Sequence, residues 1–468
     1  MTAPQLRCLL LTLVLLAAGW LGWHSRADQK GDGSGWLVGL SAADITPERP
    51  VYLAGYASRN RPHEGVEAPI HAKVLALVDQ RGHRCVILTT DLIGLTAAVA
   101  EPVCERLAAK TGLARADILL NSSHTHTGPA LTLSTAPTTK MDAAAAERQA
   151  AYTRKVQDEL VRLAVEALDN ADQPAMLGRA TGVAPFVMNR REATEERGIV
   201  LGVNPSGPAD RSVPALRITD ADNDELLAVL YQAACHNTTL GGSFYRITGD
   251  FAGYSQAYIE EEHPDAMALF LVGCAGDANP YPRGELEMSE EHGRVLGEEV
   301  CRLLEEEESW APISGPVTTR FAQVDLPLQP APSGKALSEL KLGGSWRGFV
   351  ASEIEKRRES GQPIPESYQA PFSVWQFGDD LTLVGLSGEV VVDYVYRLEK
   401  ELGATNLWIA AYCHDVYGYL PSARVLREGG YETRGLYAGG IGFFTPDAED
   451  VVAESIRELA RDAGRKLP

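Results

Sequence analysis

The sequence predicts an α/β fold, with mixed sheets and packed helices forming one large unit. Two observations predict it. Apolar runs rich in β-branched residues alternate along the chain with segments of helical spacing. No repeat, low-complexity tract or convincing boundary divides that alternation into separate cores.

In chain order, strands are predicted at residues 72–78, 85–90, 118–121, 227–234, 268–272, 382–386 and 407–411. Helices are predicted at 97–111, 148–170, 255–262, 289–308, 391–402 and 448–463. The second of these is Ala-rich from Ala144 to Asp169. Leu160, Leu163, Ala164 and Leu168 recur in it at spacings of three and four, which gives one buried stripe. The Pro/Gly/Ser-rich stretch 326–344 reads as a linker or a long loop.

The first residues stand apart. Arg7 precedes a 16-residue apolar run, 8–23, and Ser25 and Ala27 form a small-x-small cleavage pattern. Residues 1–27 read as a secretory signal peptide, with an uncleaved N-terminal membrane anchor as the alternative, because Trp20 and Trp23 suit a cleavage site poorly. Either reading places the body outside the cytoplasm: periplasmic, secreted or anchored. Residues 28–35 are a Gly/Asp linker, and 36–468 are the expected domain.

The chain has 468 residues, of which 45% are hydrophobic and 23% charged, the composition of a globular protein. Its net charge of −20 argues against a nucleic-acid partner, which needs a basic face. No protein partner is evident in the sequence. Setting Cys8 aside leaves six scattered cysteines with no C-x-x-C, so neither a zinc ribbon nor a disulfide scaffold is expected. Most read as small buried hydrophobes.

Chemistry concentrates where apolar runs stop. The segment 116–130 ends a strand and then delivers His124-Thr125-His126 before Gly128-Pro129. In an extended chain these two imidazoles point the same way, as a metal ligand and a neighbouring ligand or proton donor would. Hydrogen-bonded structural histidines are the plain alternative. His236 ends a second apolar strand, and Glu389 follows a third after a Gly turn, where it could equally be a helix-start charge. The segment 412–419 carries Tyr412, Tyr417 and Tyr419 and precedes Tyr431; these four tyrosines read as a pocket lining or as core. The Gly-rich turn 276–280 carries Asp277 and Asn279 and by itself reads as an ordinary turn.

In order, these segments resemble the neutral/alkaline non-lysosomal ceramidase family over about residues 36–445. The resemblance is carried by Ala43–Thr46 with Gly55-Tyr56, by Thr90-Asp91, by His124–Pro129 and by Asn189-Arg190. It continues through His236, Asp250 with Gly253-Tyr254, Gly388-Glu389, Tyr417–Tyr419 and Tyr431-Glu432. It implies one Zn2+ held by His124, His236, Glu389 and Tyr419. It also implies that His126, Arg190 and Tyr431 surround the substrate, with Asp91, Asp277, Asn279 and Tyr417 supporting them. A zinc ion lowers the pKa of water to about 7 and polarises an amide carbonyl.

Two departures stand out. The family's Gly-Asp-Val-Ser-Pro-Asn reads Gly276-Asp277-Ala278-Asn279-Pro280-Tyr281 here, so an amide replaces a hydroxyl. The family's C-terminal immunoglobulin-like domain has no counterpart in the segment 448–463, which reads as one amphipathic helix. The expected function is an exported zinc-dependent hydrolase of a small or lipid-like N-acyl amide. The alternatives are an ester or glycoconjugate metallo-hydrolase, or a non-catalytic descendant that keeps zinc or a ligand.

Overall fold

The computed structural model describes residues 35–343 and 345–468. The expected signal or anchor and all of the linker except Gly35 lie outside the described residues. Among the described residues, no helix is long and apolar enough to cross a membrane.

The main sheet runs in the order Met267–Val272, Leu226–Ala233, Ser212–Asp220, Gln173–Val183, Trp36–Asp44, His71–Val78, Arg84–Thr90 and Ile118–Ser122. The short strand Ala311–Ile313 pairs with Gln173–Val183 off this path. The pairings are antiparallel except at the two edges. Each parallel edge pair has a helix in its crossover, Ala97–Thr111 or Asp250–Glu262, as a parallel connection requires. A second sheet orders Val317–Pro327, Ser367–Phe377, Leu381–Gly385 and Leu407–Ala410.

Alternation along the strands builds the layers. In His71–Val78, Val74 and Ala76 face a core shared with helices Ala97–Thr111 and Ala143–Asp169. Leu75 and Leu77 face a core shared with Trp375, Leu383 and Trp408 of the second sheet. That sheet turns Phe372, Val374 and Val384 toward Leu398 and Ile456, on helices Asp393–Leu402 and Ala448–Ala463. Each of the Val, Leu, Ile and Phe side chains among these contributes about 1.5–3 kcal/mol by leaving water. The buried indoles of Trp36, Trp375 and Trp408 donate to Ile313 O, Ala116 O and Gln232 Oε1 at 3.1, 2.9 and 2.8 Å, so no indole N–H is stranded.

The main sheet curls until its two edges meet. The backbone N–H of Val272, on one edge, donates to Asn121 Oδ1, on the other, at 3.0 Å. Asn121 Nδ2 donates onward to Ala411 O at 2.7 Å. Single bridges Asn121↔Cys413 and Gly273↔Ala410 fasten both edges to the end of the second sheet. Loops leaving three distant strands therefore open into one place.

All seven predicted strands and six predicted helices are present, with ends shifted by a few residues. The stretch 326–344 is not a plain loop: the strand Val317–Pro327 enters it, and Gly334–Leu342 is helical. Helix Asp393–Leu402 starts later than expected, because Glu389–Val390 pairs in parallel with Tyr419–Leu420. The six cysteines are free and buried.

Candidate metal centre

The strand Ile118–Ser122 is buried throughout and ends just before the first histidine. His124 does not continue it: its φ is +62°, and its N–H donates to Leu92 O at 2.9 Å. The two imidazoles of His124 and His126 converge through this sharp turn, not through strand alternation, and their Nε2 atoms lie 3.2 Å apart. His236 follows Leu226–Ala233, with its N–H on Ala278 O. Glu389 follows Gly388, whose φ of +82° and 2.8 Å clearance to the Tyr417 ring exclude a side chain.

The tautomers are fixed by the backbone. His124 Nδ1 lies 2.5 Å from Ile93 O, and His236 Nδ1 lies 2.6 Å from Ala275 O. A carbonyl oxygen only accepts, so each Nδ1 carries the proton and each Nε2 presents a lone pair. Those lone pairs face Glu389 Oε2 at 3.4 and 3.0 Å. Burial, then Arg190, pushes His236 down to about 3. Burial first, then His124 and His236, holds His126 well below the usual imidazole range. Imidazole lone pairs aimed at a buried carboxylate make an arrangement that a cation relieves. The ring nitrogens of His124, His126 and His236 are close enough to share one ion. The donor set of neutral nitrogens and an anionic oxygen therefore fits a divalent metal.

Two phenols flank Glu389. The Tyr437 hydroxyl donates to Oε1 at 2.8 Å. The Tyr419 oxygen accepts from Arg190 Nη2 at 3.1 Å, and Tyr419 pairs backbone to backbone with Glu389. Burial and Glu389 push the Tyr419 phenol well up, against the opposing pull of Arg190. Arg190 is itself anchored, through Nε on Glu432 Oε1 at 2.9 Å, and Arg191 Nη1 holds the other oxygen of Glu432 at 2.6 Å. Arg190 Nη1 reaches Asn279 Oδ1 at 3.3 Å, and Thr238 Oγ1 donates to the same oxygen at 3.1 Å. The turn that carries Asn279 is a short strand, Ala278–Pro280, paired with Val187–Thr194. That pairing makes Arg190 and Asn279 neighbours.

The supporting residues divide. Tyr417 donates to Ser387 O at 3.2 Å and braces the turn before Glu389. Asp277 accepts from Val392 N–H at 2.8 Å and Asn189 Nδ2 at 3.1 Å, and burial pushes it up to about 7. Asp91 stands apart from the cluster and joins His71 N–H to Gln256 Nε2, each at 2.9 Å. Tyr431 packs against Tyr419 with ring centroids 5.5 Å apart. A cavity of about 450 Å³ is lined by His124, His126, Glu389, Tyr419, Tyr431 and Tyr437 together with apolar residues such as Ile93, Leu131 and Val416.

Sequence reasoning missed Tyr437; the Tyr412 ring, read there as pocket lining or core, packs with its centroid 4.5 Å from that of His124. Sequence reasoning also gave Glu432 no role. No spacing marks Tyr437; Glu432 was visible only as the neighbour of Tyr431.

Residues 36–292 match the family model described as "Neutral/alkaline non-lysosomal ceramidase, N-terminal", more than half of the chain. The chain belongs to the neutral/alkaline non-lysosomal ceramidase family. Neutral ceramidase B of Dictyostelium discoideum is 27% identical over 275 residues, covering 54% of this chain and 36% of that protein. Neutral ceramidase of Drosophila melanogaster is 24% identical over 277 residues, 53% of this chain and 36% of its own length. The match thus spans little more than a third of these ceramidases. The crystal structure of neutral ceramidase from Pseudomonas aeruginosa has the same fold, with a TM-score of 0.68 at 20% identity over 92% of this chain and 75% of that one. The ceramidase model includes His124, His126, Arg190, His236 and Asn279, whereas Glu389, Tyr419 and Tyr431 lie beyond its matched residues.

Proposed function

We propose that this protein is a zinc-dependent amidohydrolase that cleaves the N-acyl amide bond of a ceramide-like lipid outside the cytoplasm. One observation carries the reading: the Nε2 lone pairs of His124 and His236 both face the buried Glu389 carboxylate. Membership of the ceramidase family supports the amide substrate, and the apolar run 8–23 supports export.

His124, His236, Glu389 and Tyr419 would hold the ion. When bound, a zinc ion supplies a Lewis acid and a water of lowered pKa. The residues of the chain do the rest. His126 is neutral, its Nε2 is beside the cluster, and its buried Nδ1 has no partner among the described residues. It takes a proton from the attacking water and returns it to the departing amine nitrogen as the C–N bond breaks. Arg190 acts through other side chains: it holds the Tyr419 oxygen and Asn279 Oδ1 instead of reaching the substrate. Tyr431, on the cavity wall, contacts the substrate. With an amide at position 279, the attacking group is water and not a side-chain hydroxyl.

The test is metal content of the purified protein, followed by hydrolysis of N-acyl amides with and without chelator. Stoichiometric zinc and chelator-sensitive release of fatty acid are expected. Zinc without hydrolysis of any amide would favour the second reading, a binding protein in which Asn279 marks lost chemistry. Hydrolysis of esters or glycosides alone would favour a different metallo-hydrolase.

A further inference from the structure

A second cavity, of about 620 Å³, adjoins the first and shares Trp346, Tyr431 and Arg434 with it. Three arginines line it. Arg197 comes from the turn between the strands Val187–Thr194 and Gly198–Asn204, Arg347 from helix Ser345–Glu359, and Arg434 from the turn Tyr431–Arg434. Among the described residues, no carboxylate oxygen lies within 4.0 Å of any of the three guanidinium groups. The neighbouring Arg190 and Arg191, by contrast, are both tied to Glu432. The Arg434 guanidinium lies over the Tyr431 ring, 3.7 Å from its centroid, so one of the cations is packed at the junction of the two cavities.

In a chain of net charge −20, three cations from separate segments with no carboxylate partner among the described residues are a local concentration of positive charge. Guanidinium is the planar, always-charged donor that matches a carboxylate or phosphate. The first cavity is lined by both apolar residues, among them Ile93, Leu131 and Val416, and polar ones, His124 and Glu389. An amide held beside His124 and Glu389, with its acyl chain among the apolar residues, has room for its amine portion past Tyr431, which both cavities share, toward the arginines.

We propose that the arginine-lined cavity is a subsite for an anionic group on the amine portion of an N-acyl substrate. The preferred substrate class is then N-acyl amines bearing a carboxylate or phosphate, not neutral ceramides. The inference rests on the amidohydrolase reading for the placement of the acyl chain.

Equilibrium binding separates the two. The purified protein is titrated with N-dodecanoylglycine, with neutral N-dodecanoylethanolamine and with inorganic phosphate. The expected result is affinity for the anionic amide at least about tenfold above the neutral one, as one or two charge-assisted hydrogen bonds give. Phosphate alone competes weakly. In R197Q/R347Q, which spares the first cavity, the preference falls to about twofold; R197K/R347K retains most of it and reports on folding. Raised salt shrinks the preference in the parent protein. Equal affinities in the parent protein, or the same preference in parent and R197Q/R347Q, overturn the subsite. A preference that holds without hydrolysis of either amide keeps the subsite and overturns the amidohydrolase reading. Hydrolysis of both amides without a preference does the reverse.

Discussion

His236 Nδ1 lies 2.6 Å from Ala275 O while its Nε2 lies 3.0 Å from Glu389 Oε2. One proton cannot serve both contacts. The carbonyl claims it, and a lone pair is left against an anionic oxygen deep in the protein.

A first prediction follows from that repulsion. In chelated protein, Glu389→Gln should raise stability by about 1–3 kcal/mol, because the new amide can donate to a histidine Nε2. The same variant should lose most of the stabilisation that added metal gives the parent protein. Denaturant titrations with and without metal check both signs. A chelated E389Q protein less stable than chelated parent would contradict the tautomer assignment.

The two phenols should separate by role. Tyr419→Phe removes a proposed ligand and should weaken metal binding by at least about 100-fold. Tyr437→Phe removes only the donor that orients Glu389 Oε1 and should cost about tenfold. Competition with a chromophoric chelator measures both, and the reverse order would move the ligand to Tyr437.

Asn279 holds two buried donors, Arg190 Nη1 and Thr238 Oγ1, on one oxygen. Asn279→Ala should therefore destabilise by about 1–3 kcal/mol while leaving metal stoichiometry unchanged. Unfolding curves and metal analysis read the two separately. Loss of metal would place Asn279 closer to the ion than the account allows.

Asp277 gives a pH dependence of known sign. Burial raises it from 3.8 to about 7 in the folded state, so the folded state binds the extra proton. Its contribution is complete below about pH 4 and is lost as pH rises toward about 7, at most about 4 kcal/mol. Asp277→Asn should flatten that part of the stability profile, measured as the denaturation midpoint from pH 4 to 8. An unchanged slope would mean that Asp277 stays ionised when buried.

The parts of this fold legible in the sequence were those buried on both faces or on one helical stripe. Arg84–Thr90 and Met267–Val272 are continuous apolar runs, and helix Ala143–Asp169 repeats its small and apolar residues at helical spacing. Three of the strands that went unrecognised lack that signal. Val187–Thr194 carries Arg190, Arg191 and Glu192, Gln173–Val183 is broken by Pro174 and two glycines, and Ser367–Phe377 contains Pro371. The histidines and Glu389 stood out because each follows an apolar run. What the sequence could not convey is the curl of the main sheet through Asn121, which brings the ends of those runs together. The Tyr437 hydroxyl reaches Glu389 only through that tertiary path.

The central claim is the position of the ion. Anomalous diffraction above and below the zinc edge, on crystals of the purified protein, tests it most directly. The account predicts one peak bonded to Nε2 of His124, Nε2 of His236, a Glu389 oxygen and the Tyr419 oxygen, at roughly 2.0–2.2 Å from each. Active protein with no peak there, or with the zinc held by other side chains, would contradict it.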